Sequence, residues 1–221
     1  MNLKKIVTCF FVFFIIELVF AENITITGVD GEKKVCSFSR DTDTIKLQKT
    51  IYKIKTISGL EAFPFLKNLN IGFSDLTQTD FSFLTKLNTL EVLEFEFISL
   101  KDFKFLKYSP SIKVLLLFET FSLENKMKID LSNAKTLEFF SMDGLSYDTL
   151  FPELLISDSL KHFGFFPQYY KSIGKNYKTF FHKNLKYYMS TRVIQNLENE
   201  KIDGDILSNE EFEKLERKYR F

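Results

Sequence analysis

Few residues of this chain have the type and spacing that a catalytic or metal site requires. His162 and His182 lack neighbours at metal-ligand spacing, and no zinc-protease, paired Cys-x-x-Cys, nucleophile-elbow or phosphate-loop pattern occurs. Asp203-Gly204-Asp205 has the composition of a calcium loop, but its register puts Asn199 and Lys201 where acids are needed. We therefore expect no enzyme, no metal and no cofactor, with a hydrolase whose residues converge from distant segments as a minor alternative.

The overall composition is that of a globular chain without a strong charge. Of its 221 residues, 45% are hydrophobic and 27% are charged, and the formal net charge is +1. Lys4, Lys5 and Glu17 account for that charge, so the chain after residue 21 is formally neutral. A neutral chain has no overall field that would draw it onto nucleic acid or anionic lipid. We expect no nucleic-acid partner.

The N-terminus has the three parts of a secretory signal peptide, which we assign to residues 1–21. Two lysines form a positive start, residues 6–16 are mostly apolar, and Val19 and Ala21 precede the expected cleavage site. Glu17 interrupts the apolar stretch, which is shorter than the roughly 20 residues of a membrane span. We expect cleavage after Ala21 and a secreted or extracytoplasmic protein, periplasmic or at the cell surface. A membrane is expected as a partner only if this segment is retained as an anchor.

Cleavage at that site would also determine whether the chain can form an intramolecular disulfide. It would remove Cys9 and leave Cys36 without an intramolecular partner, although an exported protein could form a disulfide. We interpret Cys36 as a half-buried strand residue, with a reactive or intermolecular thiol as the alternative.

An internal repeat of 22 to 25 residues is the strongest structural signal. Five segments read apolar-x-x-apolar-x-apolar, and their starts are 24, 22, 25 and 23 residues apart. They span residues 66–71, 90–95, 112–117, 137–142 and 160–165. Residues 42–47 and 185–190 match at two of three positions. A second string, Phe-x-Phe-Leu, recurs between these segments at residues 63–66, 81–84 and 103–106, and we expect it to fill the core.

The repeated pattern resembles that of the leucine-rich-repeat family, whose core is Leu-x-x-Leu-x-Leu. Residues 84–106 are most similar to the short bacterial or SDS22-like type. The resemblance implies an α/β fold: a solenoid with a parallel concave sheet and irregular or short-helical convex segments. Residues 42–190 would form the repeats. The family usually has Asn three residues after the last apolar strand residue, and we expect less regular turns because this chain has Ser74, Ile98, Thr120, Leu145 and Gln168 there.

The two ends of the array need caps, because terminal repeats would otherwise expose the core. Residues 22–41 contain two strand-like runs around Gly28 and Gly31, which predicts a hairpin-like N-terminal cap. Residues 191–221 would form the C-terminal cap, with a helix at about 208–219. Ser208 and Glu211 have capping-box spacing. An apolar stripe of Phe212, Leu215 and Tyr219 would pack on the last repeat.

The repeat phase also predicts a partner-binding surface. Residues that alternate with the core residues point to the concave side, where several are apolar instead of polar. The candidate partner-binding residues are Val92, Val114, Leu116, Phe118, Phe139, Phe166, Tyr187 and Met189. The alternative is that irregular turns or the C-terminal helix cover part of this cluster. His162 is expected on the same side, and residues 168–182 are the next candidate region.

Three functions remain in competition at this point. The first is an exported leucine-rich-repeat module that recognises a protein partner through its concave face. The second is a structural envelope protein tethered by an uncleaved N-terminal segment. The third is the hydrolase with a dispersed site. The preference for binding rests on the family resemblance and on the apolar concave residues.

Overall fold

The structure is a computed structural model that describes residues 21–122, 129–143, 154–155, 157–166, 186–189 and 205–220. The predicted signal peptide apart from Ala21, the segment 168–182, and the turn positions Leu145 and Gln168 lie outside the described residues. Within the described ranges, no helix is both long enough and apolar enough to cross a membrane.

Strands predominate in the described part of the chain, which contains a single α-helix. The strands are β1 (Ala21–Gly28), β2 (Lys33–Ser39), β3 (Thr44–Gln48), β4 (Ile54–Ser58), β5 (Asn68–Asp75), β6 (Val92–Leu100), β7 (Val114–Phe118), β8 (Phe121–Ser122), β9 (Ile129–Asp130), β10 (Phe139–Asp143), β11 (Leu154–Leu155), β12 (His162–Phe166), β13 (Lys186–Met189) and β14 (Asp205–Ile206). Short 3-10 segments span Leu60–Ala62, Phe81–Lys86 and Lys104–Tyr108, and helix α1 spans Asn209–Tyr219.

The N-terminal strands form a small antiparallel sheet in the order β2-β1-β4. β1 and β2 make a hairpin whose turn includes Gly31 at a φ of 89°, a conformation that suits glycine. Ile24 and Ile26 alternate along β1 and are fully buried, as a strand with one buried side requires. The predicted hairpin is confirmed, and β4 adds a third strand that the sequence pattern did not reveal. Cys36 is half-buried in β2 with a free thiol, as interpreted from the sequence.

The repeat segments form one parallel sheet of nine strands in the order β14-β13-β12-β10-β7-β6-β5-β3, with β8 beside β6. Its register joins equivalent repeat positions. Leu93 pairs with Leu69 and Leu115, and Phe140 pairs with Leu115 and Phe163. The expected α/β fold with a parallel sheet is confirmed, and the predicted repeat phase holds from β3 to β12.

The main hydrophobic core lies on one side of this sheet. Phe95 and Leu115 belong to it and are fully buried, because strand side chains alternate and the repeat places its apolar residues on the same side. The 3-10 segments close the core from the other side: the Phe105 ring centroid is 4.9 Å from that of Phe81 and 5.6 Å from that of Phe95. The Phe-x-Phe-Leu strings therefore pack as predicted, except that Phe65 is 60% exposed.

Four residues at equivalent positions of the repeat share one backbone conformation: two directly follow strands β3 and β7, and two lie within β5 and β6. Lys49, Phe73, Phe97 and Glu119 have φ values of 50°, 57°, 50° and 46°, all in the left-handed region. In three of them the next residue is buried, namely Ser74, Ile98 and Thr120. The Ser74 Oγ donates to the Ile51 carbonyl oxygen at 3.2 Å, so a shorter polar side chain ties this turn together. The left-handed backbone therefore recurs at these positions, whereas the expectation of less regular turns stays a prediction.

Helix α1 has the predicted start but a different position. The Ser208 Oγ accepts a hydrogen bond from the Glu211 backbone N–H at 3.3 Å, and the Glu211 carboxylate accepts one from the Ser208 backbone N–H at 2.9 Å. β14 occupies the sheet edge where a cap was expected. α1 instead packs on the sheet face opposite the main core.

Candidate binding face

The face of the parallel sheet opposite the main core carries the residues that alternate with the core residues, and we call it the helix face. Its residues are Thr44, Lys46 and Gln48 on β3; Asn68, Asn70 and Gly72 on β5; Val92, Glu94 and Glu96 on β6; Val114, Leu116 and Phe118 on β7; Phe139 and Ser141 on β10; and His162 and Gly164 on β12. The register aligns these residues in rows across the strands. The helix face is therefore the surface that the repeat phase predicted as concave.

Five of the predicted partner-binding residues lie together on the helix face, but they are not exposed. Val92, Val114, Leu116, Phe118 and Phe139 form a cluster with Phe212 of α1, and none of the five is more than 8% exposed. Leu207, Leu215 and Tyr219 pack against the same cluster. The expectation of an open apolar surface is wrong for these five. The alternative, coverage by the C-terminal helix, is what the structure shows.

The other three predicted partner-binding residues are placed by the backbone register alone. Phe166 pairs with Asp143 at the end of β12, as the repeat phase predicts. Tyr187 pairs with Phe163, and Met189 pairs with Phe165, both of which are core positions of the repeat. The predicted phase is therefore one residue out in β13, and a slip of one residue exchanges the two faces of a strand. Tyr188, not Tyr187, is level with Gly164 on the helix-face row.

Three kinds of contact hold α1 on the helix face. The Phe139 ring centroid is 5.5 Å from that of Phe212 and 5.0 Å from that of Tyr219. The Ser141 Oγ donates to the Glu216 Oε1 at 2.7 Å. After the last turn, the Arg220 guanidinium lies 3.7 Å from the centre of the Phe118 ring, within range of a cation–π interaction.

Gly164 shapes the surface beneath the first turns of α1. The three heavy atoms nearest to a Cβ built on Gly164 all belong to the Phe212 ring, and the Cβ would overlap them. The missing side chain therefore forms a notch that the Phe212 ring fills. His162 lies two residues before Gly164 on β12 and is half-buried. Its ring centroid is 6.0 Å from that of Phe139.

The other half of the helix face, over β3, β5 and the adjoining part of β6, is polar. The Gln48 Nε2 donates to the Asn70 Oδ1 at 3.3 Å and to the Glu96 Oε2 at 2.8 Å. Glu94 is only 3% exposed, and this burial raises the pKa of its carboxyl group. Asn70, by hydrogen bonding, and the charges of Arg220 and Lys46 oppose that shift, whereas Glu96 adds to it.

An exposed aromatic pair borders this polar half. The Phe73 and Phe97 rings stack with their centroids 4.8 Å apart and their planes at 15°. They are 36% and 47% exposed, and Lys49 Nζ lies 4.9 Å from the centre of the Phe73 ring. We call these two residues the aromatic pair. Sequence reasoning missed it because strict alternation assigns both residues to the core. The signal that would have found it is their identical place in two successive repeats.

The described residues offer no arrangement for catalysis or metal binding that the sequence overlooked. No group of three or more His, Cys, Asp and Glu side chains among them is placed to hold a metal ion. Comparison of the whole chain with family models gives no match, and no curated protein matches it in sequence.

Proposed function

We propose that this chain is an exported leucine-rich-repeat solenoid that binds a protein partner through the helix face. The repeat of 22 to 25 residues, the parallel register of its segments and the secretory pattern before residue 22 support this proposal. In such a solenoid the helix face would be the concave surface.

The observation that carries the proposal is the aromatic pair. Bulky side chains rarely occupy the left-handed region, which destabilises an ordinary residue by roughly 1–2 kcal/mol. Phe73 and Phe97 both adopt it, and it turns their rings outward instead of into the core. Lys49 and Glu119 adopt the same conformation, so this position of the repeat does not itself require an exposed aromatic ring. Strained residues cluster at functional sites, and exposed aromatic rings are frequent anchors of protein interfaces.

The surroundings of the aromatic pair also fit a protein interface. Lys49 covers one side of the Phe73 ring, and the hydrogen-bonded Gln48, Asn70 and Glu96 lie on the adjoining strands. An apolar centre with a polar rim is the usual anatomy of such an interface. The partner would contact the two rings and exchange hydrogen bonds with the polar half of the helix face.

Photo-crosslinking tests this proposal directly. The chain is prepared with p-benzoylphenylalanine at position 97 and irradiated in an extract or culture fluid of its source. The matched control carries the same group at position 65, because Phe65 is 60% exposed but is not part of the aromatic pair. We expect one protein to crosslink from position 97 and not from position 65. Phe97→Ser should weaken capture of that protein about fivefold or more, the lower limit for an interface hot spot, and Phe65→Ser should not. Identical products from both positions would contradict the proposal.

A further inference from the structure

Helix α1 touches the rest of the chain through a narrow stripe. Phe212 is fully buried, and Leu215 and Tyr219 are partly buried, which is the spacing of one helix side. The other side of α1 consists of exposed charged residues: Glu210, Glu211, Glu213, Lys214, Arg217 and Lys218. α1 is therefore an amphipathic helix that lies on a surface, with one side in contact and the other in water.

The cluster beneath α1 is separate from the main core. Leu116 and Phe139 belong to this second cluster, whereas their strand neighbours Leu115 and Phe140 belong to the main core on the opposite side of the sheet. The 11 residues of α1 are too few to form a stable helix alone in water, so its structure depends on this contact. The main core, in contrast, contains no residue of α1.

The surface under α1 has a feature that is specific for one side chain. The Gly164 notch accepts the Phe212 ring, which stacks on Phe139 at 5.5 Å with 22° between the planes. Seven residues further along α1, Tyr219 reaches the same Phe139 ring, and Arg220 lies over Phe118. A notch for one aromatic ring, followed by an apolar strip and an aromatic face for a cation, selects an amphipathic helix in one orientation.

We propose that the apolar half of the helix face is a docking surface for an amphipathic helix of a partner protein, and that α1 is the resident helix which the partner's helix replaces. The incoming helix would carry an aromatic residue for the Gly164 notch and apolar residues three and seven positions later. A cation directly after the last of these would take the place of Arg220 on the Phe118 ring. This half of the face does not include the aromatic pair. A negative crosslinking result would therefore contradict the proposed function without contradicting this inference.

A synthetic helix tests the inference without knowledge of the natural partner. The probe is a fluorescent peptide with the sequence of residues 205–221, and fluorescence anisotropy measures its binding to the full-length chain. In the unsubstituted chain α1 occupies the surface, so we expect weak binding. Phe212→Ala removes the main anchor of α1 and should increase the affinity for the peptide at least tenfold.

Two matched controls place that binding on the proposed surface. A full-length chain with both Phe212→Ala and Gly164→Ala has a methyl group in the notch, where no ring of its own opposes it. It should fold like the single variant but lose the added affinity. A peptide with Ala in place of Phe212 should bind neither chain.

The result that would overturn the inference is equal peptide binding by the unsubstituted chain and the Phe212→Ala chain, or by the single and double variants. If the Phe212→Ala chain does not fold, Leu215→Ser decides, because it removes a contact that is only partly buried. Increased peptide binding by a folded Leu215→Ser chain supports the inference. Unchanged binding, or unfolding of this variant as well, shows that α1 is an integral part of the fold.

Discussion

The two halves of the helix face share one sheet and one register, yet they have opposite surfaces. Over β3 and β5 the side chains are polar and hydrogen-bond to each other, as Gln48 and Asn70 do. Over β7 and β10 they are apolar except for Ser141, and Leu116 and Phe139 are fully buried under α1. On the core side, every repeat strand from β3 to β12 contributes apolar residues. The repeat therefore constrains one face of the sheet, whereas the composition of the other face decides whether the chain's own helix packs there.

The largest effect is expected on the core side, which both halves share. Leu115 is fully buried between Leu93 and Phe140, and Leu115→Ala should lower the free energy of unfolding by about 2–5 kcal/mol. Urea denaturation measures this loss in the free energy of unfolding. Lys113→Ala is the control two residues away: its ion pair with Glu91 at 2.9 Å is exposed and should contribute at most about 1 kcal/mol. A loss below about 1 kcal/mol for Leu115→Ala would show that the repeat phase is wrong.

The next effect compares the main core with the cluster under α1. Phe105→Ser places a hydroxyl among the rings of the main core and should destabilise by about 3–5 kcal/mol. On the open concave surface that the repeat phase predicts for Phe118, Phe118→Ser would leave folding nearly intact. Because Phe118 is 8% exposed and lies under Arg220, we now expect a loss of about 1–3 kcal/mol. Chemical denaturation of both variants ranks them, and equal losses would mean that the two clusters unfold as one core.

The contrast between the halves also shows which parts of the fold the sequence could predict. The core positions could be predicted, whereas the position of α1 could not. Alternation along a strand and recurrence at a fixed spacing are local properties, so the core positions of Phe95 and Leu115 follow from them. The position of α1 does not, because its apolar stripe would suit an end cap or a sheet face equally well. The slip of one residue at Tyr187 has a similar cause: β13 matches the repeat at two of three positions, which is too few to define the register.

The aromatic pair was missed for a different reason. A period of two assigns Phe97 to the core, and only the left-handed backbone at this residue breaks that period. The conformation is usually signalled by Gly or Asn, and here two phenylalanines occupy it. A local rule of the sequence therefore fails at the position that we propose for function.

A smaller effect is expected when the ring of Phe97 is removed. Phe97→Asn loses the stacking on Phe73, which contributes about 0.5–1.5 kcal/mol, but Asn tolerates the left-handed backbone better. The two effects oppose each other, and stability should change by less than about 1 kcal/mol in urea denaturation. Phe97→Val is the matched control, because a β-branched residue at a φ of 50° should destabilise more than Asn does. If Phe97→Asn destabilises by clearly more than about 1.5 kcal/mol, the ring is retained for stability and the argument for an interface is lost.

The smallest effect concerns Glu94, which lies where the polar and apolar halves meet. Burial raises the pKa of its carboxyl above the ordinary value of 4.5, so the folded chain binds this proton more tightly than the unfolded chain does. The contribution of Glu94 to stability therefore falls as the pH rises through the interval above 4.5, and it stays lower at neutral pH. Glu94→Gln removes the charge and keeps an acceptor for Asn70. We expect its urea midpoint, relative to the unsubstituted chain, to be higher at about pH 7.5 than at about pH 4. Glu91→Gln, at the residue before β6 and with its carboxylate in a surface ion pair, measures the effect of losing a surface carboxylate. An equal pH dependence in both variants would show that burial of Glu94 has no energetic consequence.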